Sequence, residues 1–146
     1  MIFRKALIED IDNYMIVRMA VNENILANPA LVTKQDNIDY ITKNGKGWVC
    51  EIDNQIVGFS IVGLLQRNVW ALFVHPDFEK KGIGRKLHDL MMTWYFDQTK
   101  ETIWLGTEQN TFAEKFYKKL GWVAVGMHGT DETKFEMTHK LWSDLK

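Results

Sequence analysis

Several things are scarce in this chain. Among its 146 residues there is a single cysteine, so no internal disulfide can form, and the usage suits a reducing compartment. There are two prolines. Pro29, preceded by Asn28, breaks a helical pattern, and Pro76 restricts His75 to extended geometry. Charge of one sign is missing too: 18 Lys and Arg face 19 Asp and Glu, a net charge of −1, so no bulk field recruits nucleic acid. No apolar run is long enough to span a bilayer. The start, Met-Ile-Phe-Arg-Lys-Ala, has no apolar signal region after its charges, and the expectation is a cytoplasmic protein that engages no membrane. The four histidines, at 75, 88, 128 and 139, show no metal-ligand spacing, so no metal is expected. Cys50 lies in the strand pattern Gly47-Trp48-Val49-Cys50-Glu51-Ile52 with no activating neighbour and reads as a buried structural thiol.

What is present is ordinary for a globular chain: 46% hydrophobic and 25% charged residues. The length allows one domain with a real core, residues 1–146. Ile2 to Leu7 reads as a strand. From Ile8 onward, Ile11, Met15 and Met19 recur at helical spacing until Asn28-Pro29. Thr33 is the N-cap of a second helix running to about Lys43. Gly47–Ile52 and Gln55–Leu65 form a hairpin around Asp53-Asn54, and Val69–Val74 is apolar on both faces, as a central strand should be. A helix follows from Gly82 to about Gln98, then a strand from Thr102 to Thr107. Next comes a helix from Asn110 to Leu120, with Phe112, Phe116 and Leu120 stepping by four, stopped by Gly121. Strands Trp122–Met127 and Phe135–Leu141 finish the chain, and the order predicts one α/β domain with a mixed sheet.

The most informative stretch runs from Phe73 to Gly84, where a buried strand leads through a short loop into two glycines that open a helix. Lys80, Lys81, Arg85 and Lys86 surround those glycines. Open backbone N–H groups and the positive end of a helix dipole make an anion site there, suited to a pyrophosphate. It is not a nucleoside-triphosphate loop, because Gly84 is followed by Arg85-Lys86-Leu87 and not by Lys-Ser/Thr. Nor is it a dinucleotide fingerprint, because Leu87 stands where the third glycine belongs.

Glu79-Lys80-Lys81-Gly82-Ile83-Gly84 resembles the Gln/Arg-x-x-Gly-x-Gly/Ala signature of the GNAT superfamily of N-acetyltransferases, with Glu79 in place of the usual Gln or Arg. Asn110-x-x-Ala113-x-x-Phe116-Tyr117-x-x-Leu120-Gly121-Trp122 resembles a second family segment, and Glu136–Leu141 resembles its last strand. The resemblance covers essentially the whole chain. It implies a central mixed sheet splayed between its fourth and fifth strands, helices on both faces, and acetyl-CoA in the splay. The pantetheine arm would pair with the backbone of Phe73 and Val74, and the pyrophosphate would sit on the N–H groups of Lys81, Gly82, Ile83, Gly84, Arg85 and Lys86. Asn110, Ala113 and Phe116 would border the arm and its thiol end. Tyr117 would be the general acid that protonates the departing thiolate. Beside that stands the reading of a core tyrosine on an amphipathic helix.

The base is less legible. Glu108, just after the fifth strand, is the candidate, with His75 beside it; a solvated strand-end carboxylate and a turn residue are the plainer readings of the two. The partners implied are acetyl-CoA and an amine acceptor, small or on a peptide or protein. The acceptor wall would run from about Met19 to Tyr40 and include the loop between the last two strands. Glu23, Asp36, Asp39, Asp131 and Glu132 there either suit a cationic acceptor or are ordinary surface acids. A module that binds acyl-CoA and catalyses little is the alternative to an enzyme. Exposed sheet edges leave a homodimer open.

Overall fold

A computed structural model describes residues 1–26 and 28–146. Seven strands form one mixed sheet: β1 (Ile2–Lys5), β2 (Gly45–Ile52), β3 (Gln55–Gly63), β4 (Asn68–Val74), β5 (Ile103–Glu108), β6 (Val123–His128) and β7 (Glu132–Met137), in the spatial order β1-β2-β3-β4-β5-β7-β6. All neighbours are antiparallel except β4 and β5. Strand alternation feeds two cores. Trp48 and Cys50 turn to one face, and Val49 between them turns to the other.

Helices cover both faces. α1 (Ile11–Ala20) buries Ile11, Tyr14 and Val17 against Val49, Phe59 and Ile61. The Tyr14 ring stacks on Phe59 at 4.4 Å, and its hydroxyl donates to Asn37 Oδ1 at 2.7 Å in α2 (Lys34–Asp39). On the opposite face lie α3 (Ile83–Gln98), α4 (Phe112–Lys119) and α5 (His139–Asp144), which bury Ile83, Leu87, Met91, Tyr95, Tyr117 and Trp142.

The feature that matters for function is the seam between β4 and β5. It has a single rung, Asn68 opposite Trp104, joined by the Trp104 N–H donating to the Arg67 carbonyl at 3.0 Å. Beyond it the strands part. The register supplies the cause. Ile61 faces Ala71 and Val62 faces Val69, so Trp70 is an extra residue in β4, a bulge that bends the strand. Tyr40 stacks on Trp70 at 4.1 Å and holds the bulge in place.

Four expectations need correction. The first helix ends at Ala20, well before Asn28-Pro29, and it buries Tyr14 and Val17, whereas Met19 is exposed. Its continuation is pulled away by side-chain bonds from Asn24 to β5, described below; residue 27 lies outside the described residues. In α4 the buried face centres on Tyr117, and Phe112 is 76% exposed. The second helix gives way at Tyr40 to a wider turn through Asn44. The last strand stops at Met137, because Thr138 caps α5 by accepting the Leu141 N–H at 3.1 Å, so residues from His139 onward are helical.

Candidate active site

The loop after β4 is shaped by its own residues. The His75 N–H donates to the Val57 carbonyl at 2.8 Å, and His75 Nδ1 accepts from the Asp77 N–H at 3.1 Å. That nitrogen is committed to the turn, which favours the turn-residue reading of His75 over that of a base. Gly82 then sits at φ +79°, a left-handed position suited to glycine, and caps α3 with no side chain. The first backbone bond of the helix runs from the Lys86 N–H to the Gly82 carbonyl at 3.1 Å. The N–H groups of Ile83, Gly84 and Arg85 therefore have no acceptor among the described residues. Lys81, Arg85 and Lys86 stand beside them, and Arg85 pairs only loosely with Asp89, at 3.5 Å.

Three segments that the sequence singled out meet here. A methyl group built on Gly84 would lie 3.7 Å from Val74 Cγ2 and 3.8 Å from the Phe116 ring, so β4, α3 and α4 converge on that glycine. A methyl on Gly82 would meet nothing within 4 Å. The amide row faces open space, and β4 beyond Asn68 presents an edge that β5 does not pair. A diphosphate with an extended amide-bearing tail fits this geometry: anionic oxygens on the helix terminus, and the tail along the strand. Two surface grooves, of about 280 and 350 Å³, lie away from the open seam: one runs between Trp48 and Trp94 along α3 and reaches Lys86, and the other lies beside Leu7 and Ile41.

Tyr117 is buried among Phe116, Trp122 and Phe135. Burial pushes its phenol well above the ordinary range, so it stays protonated. Its hydroxyl has no hydrogen-bond partner among the described residues, unlike Tyr14 with its Asn37 bond. Ala113 lies half-buried on the same helix, and Asn110 precedes it in the left-handed region at φ +60°. Cys50 is fully buried, and burial raises its thiol pKa, as a structural cysteine requires.

On the α1 side of the splay, the loop after α1 is tied to the end of β5. Asn24 Oδ1 accepts from the Glu108 N–H at 2.9 Å, and its amide donates to Thr107 Oγ1 at 3.1 Å. The Glu23 carboxylate accepts from the Phe112 N–H at 2.9 Å, which places its charge on the N-terminus of α4. Asp36 is likewise engaged, capping α2 with Thr33, and Asp39 accepts from Gln35. Asp131 is exposed near the β6–β7 turn and Glu132 is half-buried beside Gly106. The five acids thus form no common wall. Glu108 itself is exposed at the end of β5. Arg18 of α1, absent from the sequence reading, stacks over Phe73 with its guanidinium carbon 4.1 Å from the ring centroid. Nothing local marked it, because its neighbours come from β4 and β5. The cap Thr111, by contrast, was readable from Thr111-x-x-Glu114 before an apolar helix face.

The model of the acetyltransferase (GNAT) family matches residues 13–122. The chain belongs to the GNAT family. Among solved GNAT-type structures, the PaiA N-acetyltransferase of Thermoplasma acidophilum, in complex with coenzyme A, superposes with a TM-score of 0.80 at 17% identity, covering 94% of this chain and 98% of that one. A GNAT acetyltransferase of Staphylococcus aureus Mu50 gives 0.82 at 18% identity over the same shares. A putative streptothricin acetyltransferase of Bacillus anthracis, in complex with acetyl coenzyme A, gives 0.71 at 19%, again over 94% and 98%. At such identities the likeness is one of fold. In sequence, this GNAT chain is 35% identical over 86 residues to the peptidyl-lysine N-acetyltransferase YjaB of Salmonella typhimurium. The match takes in 58% of this chain and 55% of that protein, so it spans just over half of the relative's length.

Proposed function

We propose that this chain is an acetyl-CoA-dependent N-acetyltransferase that moves an acetyl group to a primary amine by direct attack in a ternary complex. One observation carries the reading: the acceptor-less amides of Ile83, Gly84 and Arg85 head α3 beside the unpaired edge of β4. In this reading the backbone from Lys81 to Lys86 holds the diphosphate, with Arg85 and Lys86 adding charge. Phe73 and Val74 pair with the pantetheine arm, and Asn110, Ala113 and Phe116 border it. Acetyl-CoA supplies an activated thioester.

The chain's own residues then have three tasks. An edge N–H near Val74 polarises the thioester carbonyl. Glu108, at the end of β5, takes the proton from the amine. Tyr117, kept protonated by burial, carries a proton for the departing sulfur. The buried, unbridged Cys50 supports a reducing cytoplasmic setting. The β6 edge, with Val123, Val125 and Met127 about half exposed, supports pairing with a second copy.

The test is calorimetry with CoA, followed by detection of released thiol when acetyl-CoA is mixed with a panel of amines. Micromolar binding and amine-dependent thiol release are expected. Absence of CoA binding sinks the proposal. Binding without transfer to any amine leaves an acyl-CoA-binding module in its place.

A further inference from the structure

Two arginines are drawn into the body of the protein, and the contrast between them is informative. Arg4 is fully answered: it donates to both oxygens of Asp10, to Glu51 and to the Lys5 carbonyl. Arg18 is not. It is half-buried, with its guanidinium carbon 4.1 Å from the Phe73 ring centroid; its Nη1 is sealed from solvent, its Nε and Nη2 are open to solvent, and none of the three has an acceptor among the described residues. Glu108 acts on it through space without closing an ion pair. A guanidinium held in a partly desolvated position without a partner is unfavourable unless an anion completes it.

Its position tells which anion. Phe73 is the β4 residue at the open seam, Arg18 stands over it from α1, and Glu108 ends the strand across the gap. Of the five acids expected to favour a cationic acceptor, two are engaged in capping, Glu23 on Phe112 and Asp36 with Thr33, and Asp39 is bonded to Gln35. Beside the seam Arg18 thus carries a positive charge with no ion-pair partner among the described residues, and Glu108 is near enough to act on it through space. We propose that the acceptor is a small amine that also carries a carboxylate, such as a free amino acid, with its carboxylate on Arg18 and its amino group toward Glu108. This rests on the acetyl-transfer reading above. In the reaction the amine nitrogen forms a bond to the acetyl carbon and the carbon–sulfur bond breaks. The amine gives up one proton, the sulfur takes one up, and the products are the N-acetylated acid and CoA.

The experiment compares matched acceptors. The free amino acids, their α-amides and the corresponding decarboxylated amines are assayed for thiol release, with a lysine-containing peptide alongside. The expected result is kcat/KM at least about tenfold higher for the carboxylate-bearing member of a matched set. In Arg18→Met that preference falls toward unity, chiefly through KM, and Arg18→Lys keeps part of it. Calorimetry with CoA checks that each variant retains a folded cofactor cleft, and the wild-type acceptor comparison stands even if a variant does not fold. Equal or better use of the amides, the decarboxylated amines or the peptide overturns the inference, as does an unchanged preference in a folded Arg18→Met. A protein that transfers acetyl groups but ignores the carboxylate overturns this inference alone; a protein that binds no acetyl-CoA overturns the acetyl-transfer reading with it.

Discussion

At Gly82 a single residue sets the start of α3 and, in the proposed binding mode, the diphosphate cradle. Its φ of +79° is a conformation an L side chain adopts at a cost, although a methyl there would touch nothing. Gly82→Ala is therefore expected to lose about 1–2 kcal/mol of stability from backbone strain alone, read from the urea midpoint. A loss near zero would mean that the loop can relax, and that the amide row is less firmly set than described. In the proposed mechanism Tyr117 is the residue on which the chemistry turns. Tyr117→Phe keeps the ring packing with Trp122 and Phe135, so folding and CoA affinity should scarcely change, whereas kcat should fall about tenfold or more. Wild-type turnover in that variant would return Tyr117 to the core and remove it from catalysis.

Elements are joined here by a few polar side chains in apolar surroundings. His88 of α3 lies 1% exposed, accepts from the Trp122 indole N–H at 3.0 Å through Nε2, and meets Asp89 Oδ1 at 3.0 Å through Nδ1. Phe116, Tyr117, Trp122 and Trp142 ring it. Burial lowers its pKa, against a weaker pull upward from Asp89. The sign follows from proton counting: below its ordinary pKa the unfolded chain binds a proton that the folded chain refuses. This contribution to stability is whole above pH about 6.5 and is lost as pH falls toward the lower folded value, by at most about 1.4 kcal/mol per pH unit. Denaturation midpoints between pH 7 and 5 should show the slope, and His88→Gln should flatten it. An identical slope in the variant would assign the effect to other groups. The cap of α4 gives a simpler case. Thr111 Oγ1 accepts the Glu114 N–H at 3.2 Å and donates to the Glu108 carbonyl at 2.8 Å, so Thr111→Ala should cost about 1 kcal/mol.

For the molecule as a whole, the parted seam makes the sheet incomplete on its own. In the proposed binding mode a cofactor laid along β4 supplies the missing edge partner, so binding should stiffen the structure from the seam outward. At a hundredfold excess over Kd, CoA should add about 2.7 kcal/mol of stability, a rise of several degrees in Tm. Hydrogen exchange should slow at the amides from Lys81 to Lys86 and along Phe73 and Val74. Protection confined to the groove between Trp48 and Trp94 would put the cofactor on the wrong side of α3.

Elements whose cause is local were legible from residues alone. β4 followed from an unbroken apolar run, α3 from amphipathic spacing after two glycines, and the α2 cap from Thr33. The proposed anion site rests on the same kind of signal, because a glycine loop, a helix start and neighbouring lysines are all encoded within about a dozen positions. The end of α1 and the start of α5 escaped because they are decided by competition: Asn24 bonds to β5 more than 80 residues away, and Thr138 caps a helix where the alternation suggested more strand. Arg18 escaped for the same reason. Its sequence neighbours say nothing of Phe73 or Glu108, and only folding, which packs α1 against β3 and β4, sets its guanidinium over Phe73 with no partner among the described residues. Sequence by itself determined the glycine-opened helix start on which the proposed cradle rests, since backbone amides and the left-handed Gly82 act over short range; tertiary structure alone decided the surroundings of Arg18, where the governing forces are desolvation and charge between segments distant in the chain.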